Sequence, residues 1–149
     1  MEIERKFLPD KLPALDGYEK KRIEQGYLCV DPVVRIRRSD DEYYMTYKSR
    51  GLVAREEYNL PLNKAAYEHL KPKCDGKFIE KDRYLIPLGD GYEGLTVELD
   101  IFDGAMKGLV LAEVEFESVD QADSFTPPEW LGKDVTGDPH YYNSNMSAN

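Results

Sequence analysis

The stretch Glu2-Ile3-Glu4-Arg5-Lys6-Phe7-Leu8 puts Glu2, Glu4 and Lys6 on one face of an extended chain and Ile3, Arg5 and Phe7 on the other. The period of two reads as a strand with a charged face and a largely apolar one. Similar alternation recurs over 22–30, 33–39, 42–50, 55–62, 77–87, 94–102 and 109–118. Eight short strands point to an antiparallel sheet that closes into a barrel. Turn chemistry separates them at Asp31-Pro32, Ser39-Asp40-Asp41, Gly51, Gly89-Asp90-Gly91 and from Asp103-Gly104 to Gly108.

One segment breaks the pattern. Asn63 can cap a helix in which Ala66, Tyr67 and Leu70 recur at helical spacing before Pro72 stops it. Beyond Ser118 alternation is lost. Trp130 and Pro127-Pro128 are expected to pack this last part against one barrel end, and the polar tail 142–149 is either helical or frayed. The fold class is therefore α+β and predominantly β: an eight-stranded antiparallel closed barrel with one or two short helices.

A length of 149 residues suits one domain, 1–149. Hydrophobic residues make up 41%, with 11 Tyr and 5 Phe to seed a core, and no stretch nears the roughly 20 apolar residues of a membrane span. The N-terminus is charged from its second residue, unlike a signal peptide, and Cys29 and Cys74 lack the spacing of a zinc site or disulfide framework, so a cytoplasmic location is expected. Twenty Lys+Arg against 29 Asp+Glu give a net charge of -9, which argues against long nucleic acids or anionic membranes as partners. Any anion would need a local basic pocket.

The charges are arranged unusually. Acidic residues alternate along three strands, as Glu2/Glu4, Glu98/Asp100 and Glu113/Glu115/Glu117, and cations repeat at strand spacing as Arg35/Arg37, Lys48 and Lys81/Arg83. They could line a solvated sheet face and pair across strands. Yet like charges at i and i+2 lie only about 7 Å apart, and ordinary surfaces mix signs to relieve such repulsion. If the sheet closes, the same faces line a lumen. Carboxylates could then hold a hard divalent cation, Mg²⁺ or Mn²⁺, while arginines and lysines clamp phosphates. Parity puts Arg5 and Arg38 outside; it does not decide between Arg55/Glu57 and Glu56/Tyr58.

These residues resemble the CYTH superfamily, the triphosphate tunnel metalloenzymes. The opening Glu2-Ile3-Glu4-Arg5-Lys6 is similar to the family's ExExK signature. Gln25-Gly26-Tyr27-Leu28, Arg35-Ile36-Arg37, Thr46-Tyr47-Lys48, Arg55-Glu56-Glu57-Tyr58, Lys81-Asp82-Arg83-Tyr84, Glu98-Leu99-Asp100 and Glu113-Val114-Glu115-Phe116 follow in the family's order. The resemblance implies a tunnel that takes triphosphate compounds with a divalent metal. It implies that Glu2, Glu4, Glu113 and Glu115 serve the metal, with Glu115 also orienting water. Lys6, Arg35, Arg37, Lys48, Lys81 and Arg83 match the phosphate-binding wall, and Tyr27 matches a tyrosine proposed as a proton acceptor.

The expected reaction is metal-dependent hydrolysis of the terminal phosphoanhydride of a triphosphate, inorganic or nucleoside, with release of orthophosphate. Three alternatives stay open: a class IV-type adenylate cyclase, a thiamine triphosphatase, and a non-catalytic binder of polyphosphate or nucleotide. The cyclases carry a His-Phe pair before ExExK, whereas here the motif starts at residue 2.

Overall fold

The computed structural model describes residues 1–51, 53–89, 91–92 and 94–148. Asp90 of the expected Gly89-Asp90-Gly91 turn and Asn149 of the tail lie outside the described residues. The strands are β1 (Glu2–Leu8), β2 (Glu19–Val30), β3 (Val33–Ser39), β4 (Glu42–Lys48), β5 (Ala54–Arg55), β6 (Glu57–Leu62), β7 (Asp75–Pro87), β8 (Thr96–Asp103), β9 (Val110–Glu115) and β10 (Lys133–Asp134). Three short helices accompany them, α1 (Lys64–Leu70), α2 (Val119–Ser124) and α3 (Asn143–Ala148).

The strands form one antiparallel sheet in the order β10-β1-β9-β8-β7-β2-β3-β4-β6, with β5 also paired to β1. Glu2 stands opposite Arg55, and Lys48 opposite Glu57, so the β5–β6 segment bridges the two ends of the sheet into a nearly closed barrel. Among the described residues ten strands replace the eight expected, for two reasons. The 55–62 segment breaks at Glu56, whose backbone carbonyl and amide turn to the Ser49 amide and hydroxyl, and residues 133–134 add a short strand to β1. The third helix is also additional to the one or two expected; it orders the tail. The crossover helix α1 is where expected, with the Asn63 side chain accepting from the Ala66 amide at 2.7 Å. Among the described residues no helix is long and apolar enough to cross a membrane.

Two apolar clusters position the lumen. Ile3, Phe7, Val97, Leu99, Ala112, Val114 and Phe116 face outward and are covered by Ala122, Phe125 and Leu131, with Trp130 packed beside them. Arg5 shares this outer side. It donates to the carbonyls of Ala122 and Phe125 and pairs with Asp134, so it anchors the covering segment rather than facing solvent. The second cluster is made of Tyr27, Ile79, Phe102 and Leu111 with Leu8, Val33, Tyr141 and Met146. Several inward-facing series end in these residues: 83 and 81 run on to Ile79, 98 and 100 to Phe102, and 115 and 113 to Leu111. They form an apolar floor under a charged wall.

The tail completes that floor. Its α3 packs on β2 and β7 and the Ser147 hydroxyl donates to the Lys77 carbonyl at 2.5 Å. Gly76, at φ 66°, admits this approach, since a Cβ there would collide with the Ser147 carbonyl.

Candidate active site

Above the floor the barrel opens into a cavity of about 950 Å³ lined by Glu2, Arg35, Arg37, Lys48, Glu57, Arg83, Glu98 and Glu115, among others. A smaller cavity lies deeper, lined by Glu4, Lys6, Tyr27, Arg35, Lys48, Arg55 and residues Tyr142 to Ser144 of the tail. Arg35 and Lys48 border both. Lys81 and Glu113 line neither: Lys81 is fully buried with its ammonium 2.8 Å from Asp100, and Glu113 lies 3.8 Å from Lys6. The expected site residues therefore cluster on one lumen, with Lys81 and Glu113 in the layer behind its lining.

The cationic side is crowded. Arg35, Arg37 and Arg83 are all buried. Arg83 is held by Asp100, at 2.7 Å and 2.9 Å, and by Glu98 at 3.1 Å, so its guanidinium stays well above its ordinary range in spite of burial. Among the described residues Arg37 has no such carboxylate. Burial, then the charges of Arg35 and Arg83, pull its pKa down, and its Nε donates to the Gln25 side chain at 2.8 Å. Arg35 donates from Nη2 to the Thr46 hydroxyl at 3.2 Å, while its buried Nε meets no acceptor among the described residues. A buried donor without a partner is costly, and an anionic oxygen is a group that could satisfy it. Burial also pulls Lys81 down to about 7, against Asp100 and with Arg83 and Arg37 adding to the fall.

On the acidic side neighbouring carboxyls are pushed in opposite directions. Glu4 stands opposite Glu115 and Lys6 opposite Glu113 in the β1–β9 pairing. Burial, then the charges of Glu113 and Glu2, push Glu4 well above the usual carboxylate range. Glu113 is held well below it, because Lys6, Arg83 and Lys81 and a hydrogen bond with Glu4 outweigh burial. Of the two, Glu4 is therefore the one whose environment favours a proton and Glu113 the one whose environment favours the charge. Burial would raise Glu2 too, but Lys48 at 2.8 Å and Arg55 at 3.0 Å hold it at about 2. Glu115, at the rim, is raised by burial and by Glu98, Glu2 and Glu57.

Among the described residues no group of three or more His, Cys, Asp or Glu side chains is arranged so that it could hold a metal ion. Carboxylate oxygens are nevertheless the donor type that a hard divalent cation takes. The charges of Glu113 and Glu2 both bear on Glu4 and raise it, a repulsion that a bound cation would relieve.

Parity left two pairs undecided, and the structure separates them. Arg55 and Glu57 face the lumen, whereas Tyr58 is 57% exposed and donates to Glu56 on the outside. Arg38 is exposed, with its guanidinium over the Tyr43 ring. Gln25, Thr46 and Asn59 also belong to the lumen, Gln25 and Thr46 within the motifs quoted above and Asn59 at the parity of Glu57; Thr46 donates to Asn59 at 2.6 Å. Gln25 shares parity with Tyr27, which was the signal available for it.

The match to known proteins covers nearly the whole chain. The CYTH domain family matches residues 1–142. An inorganic triphosphatase of Nitrosomonas europaea is 41% identical over 150 residues, covering 98% of this chain and 96% of its own length. An inorganic triphosphatase of Acetivibrio thermocellus is 39% identical over 157 residues, covering 99% and 94%. A crystal structure of an inorganic triphosphatase superposes with a TM-score of 0.73 at 38% identity, covering 100% of this chain and 95% of the other. A Hippeastrum protein described as having a dominant triphosphatase activity shares the fold alone, with a TM-score of 0.62 at 17% identity over 83% of each chain. With the ExExK strand, the charged lumen and the near-closed barrel on the same residues, this chain belongs to the CYTH domain family.

Proposed function

We propose that this chain is a divalent-metal-dependent triphosphatase, with inorganic tripolyphosphate as its leading substrate and nucleoside triphosphates as further ones. The observation that carries the reading is the unpartnered Arg35 Nε beside buried Arg37 and Arg83. Such a cluster is stabilised by a polyanion, and the lumen is deep enough to keep that polyanion away from the acidic outer surface, which disfavours long nucleic acid. One domain carries the whole site. Free Cys29 and Cys74 suit a cytoplasmic setting.

In this mechanism Arg35, Arg37 and Arg83 grip the phosphate chain from one wall, with Lys48 and Lys6 on the approach to the carboxylates. Lys81 acts from behind the lining through its charge. Glu2, Glu4, Glu113 and Glu115 would hold Mg²⁺ or Mn²⁺, which supplies Lewis-acid stabilisation of the charge that develops on the phosphoryl oxygens. Glu115, at the rim, accepts a hydrogen bond from water and aims it in line at the terminal phosphorus. A new P–O bond forms to that water, the bridging P–O bond breaks toward pyrophosphate, and the water's proton leaves with the products.

A substrate panel tests the reading. Tripolyphosphate, ATP, thiamine triphosphate and pyrophosphate, each with Mg²⁺ or Mn²⁺, are scored for orthophosphate and cyclic AMP. Orthophosphate from tripolyphosphate is expected; cyclic AMP from ATP would indicate a cyclase, and binding without turnover would indicate a binder. Within the panel, Arg37→Ala is expected to lower kcat/KM for tripolyphosphate roughly 10- to 100-fold through loss of charge-assisted contacts. Exposed Arg38→Ala should stay near wild type. Equal losses for the two would place the phosphates elsewhere.

A further inference from the structure

Gln25 is fully buried between the two cavities and has no part in the steps above. Its side-chain oxygen accepts from Arg37 Nε at 2.8 Å, and its amide nitrogen donates to the Tyr27 hydroxyl at 3.0 Å. Chemistry forces this orientation. A guanidinium only donates, so the Gln25 oxygen must face Arg37 and the NH₂ must face Tyr27. The Tyr27 oxygen therefore accepts, and its own hydrogen is left to be donated within the deep cavity that Tyr27 shares with Lys6, Arg35 and Lys48.

The backbone is shaped for this contact. Gln25 stands directly opposite Arg37, and Tyr27 opposite Arg35. The β2 register shifts between Gln25 and Tyr27 against β7, and between Tyr27 and Cys29 against β3. Bulges of this kind re-aim side chains and recur beside active sites. Between the two residues sits Gly26, where a Cβ would come 2.5 Å from the Phe78 ring, so a bare backbone lets the outer wall close over the bulge.

We propose that Gln25 is a positioning residue for triphosphate hydrolysis. It locks Arg37, at the large cavity, and Tyr27, at the deep one, into a single unit, and it fixes the Tyr27 hydroxyl as a hydrogen-bond donor to a phosphate oxygen. Tyr27 then has a donor's role in place of the proton-accepting one that the family resemblance implies. The inference rests on the triphosphatase reading.

Hydrolysis of tripolyphosphate with Mg²⁺ is measured for Gln25→Met, Tyr27→Phe, the double variant and Gln25→Glu, together with Tm. Met keeps the length of Gln without its polar ends, and Gln25→Met is expected to lower kcat about 10-fold in the wild-type background and under about 2-fold beside Tyr27→Phe. Its rise in KM, which comes through Arg37, should persist in both backgrounds. Gln25→Glu presents two acceptors, so the Tyr27 hydrogen turns toward it and away from the cavity, and kcat falls at least as far as in Tyr27→Phe. Losses of kcat that simply multiply in the double variant, a Gln25→Glu kcat equal to wild type, or losses that track Tm would overturn the inference. A wild type that releases no orthophosphate would overturn the triphosphatase reading and this inference with it. An active wild type with uncoupled variants overturns the Gln25 inference alone.

Discussion

Glu4→Gln is expected to abolish metal-dependent phosphate release while leaving the metal-free protein as stable as wild type. Burial and the charges of Glu113 and Glu2 push the Glu4 carboxyl well above the usual carboxylate range, and a hydrogen bond with Glu113 adds to the rise. Glutamine is nearly isosteric with the protonated acid that this environment favours and can donate the same hydrogen bond, so the fold should not register the change. What glutamine cannot do is give up the proton and offer an anionic oxygen to a cation. Even indirect partners of a metal cost 10- to 100-fold when removed, so loss of a ligand is expected to lower kcat/KM by at least about 100-fold. Thermal unfolding with and without Mg²⁺ or Mn²⁺ makes the distinction: the wild type should gain Tm with metal, by mass action on the folded state, and the variant should not. If Glu4 were merely a neutral hydrogen-bond partner of Glu113, Glu4→Gln would keep full activity, and the metal assignment would fail.

The same contrast explains what could be read in advance. Parity assigned Glu2, Glu4, Lys6, Arg35, Arg37, Arg83 and Glu115 to one surface because a strand alternates strictly, and a buried inner face leaves the register no freedom. Arg5 and Arg38 went to the other side by the same logic. Where the strand breaks, parity stops working. Glu56 lies in such a break, so the inward position of Arg55 and Glu57 had to come from the pairing of Lys48 with Glu57 and of Glu2 with Arg55. Alternation also says nothing about depth. Lys81 and Arg83 have identical signatures in the sequence, but only Arg83 reaches the large cavity, because the floor rises to Phe102 beneath the Lys81 ammonium, 5.2 Å from the ring centroid. The tail was the least legible part. It has no periodicity of its own, and its place follows from contacts at long range, Lys6 with the Tyr141 carbonyl at 2.8 Å and Lys81 with Asn143 at 3.2 Å.

Asp100→Ala should be the most destabilising single change in the lumen. Asp100 is fully buried and is the shared counter-ion of Arg83 and Lys81, with Arg37 close enough to influence Lys81. The desolvation of those cations has already been borne by folding, so deleting the carboxylate leaves them unbalanced in a dry interior. Breaking a buried ion pair in this way costs about 3–5 kcal/mol, against about 0–1 kcal/mol for an exposed one. A Tm loss of roughly 6–20 °C follows for a chain of this size. Asp82→Ala, which removes an outer-surface partner of Arg22, should cost little by comparison. The pH dependence carries the sign. Although burial pushes the Asp100 carboxyl up, Arg83 and Lys81 hold it below its ordinary 3.8. Its stabilisation is therefore complete above that value and is lost as the pH falls through the depressed folded-state pKa. Urea unfolding should show a wide gap between wild type and Asp100→Ala at neutral pH that narrows in acid. A phosphate chain offers the orphaned cations a substitute, so tripolyphosphate should raise the Tm of Asp100→Ala by more than it raises that of wild type. A gap that stayed constant with pH, or a variant as stable as Asp82→Ala, would mean that Asp100 does not balance the wall, and that the lumen cations are neutralised by other groups.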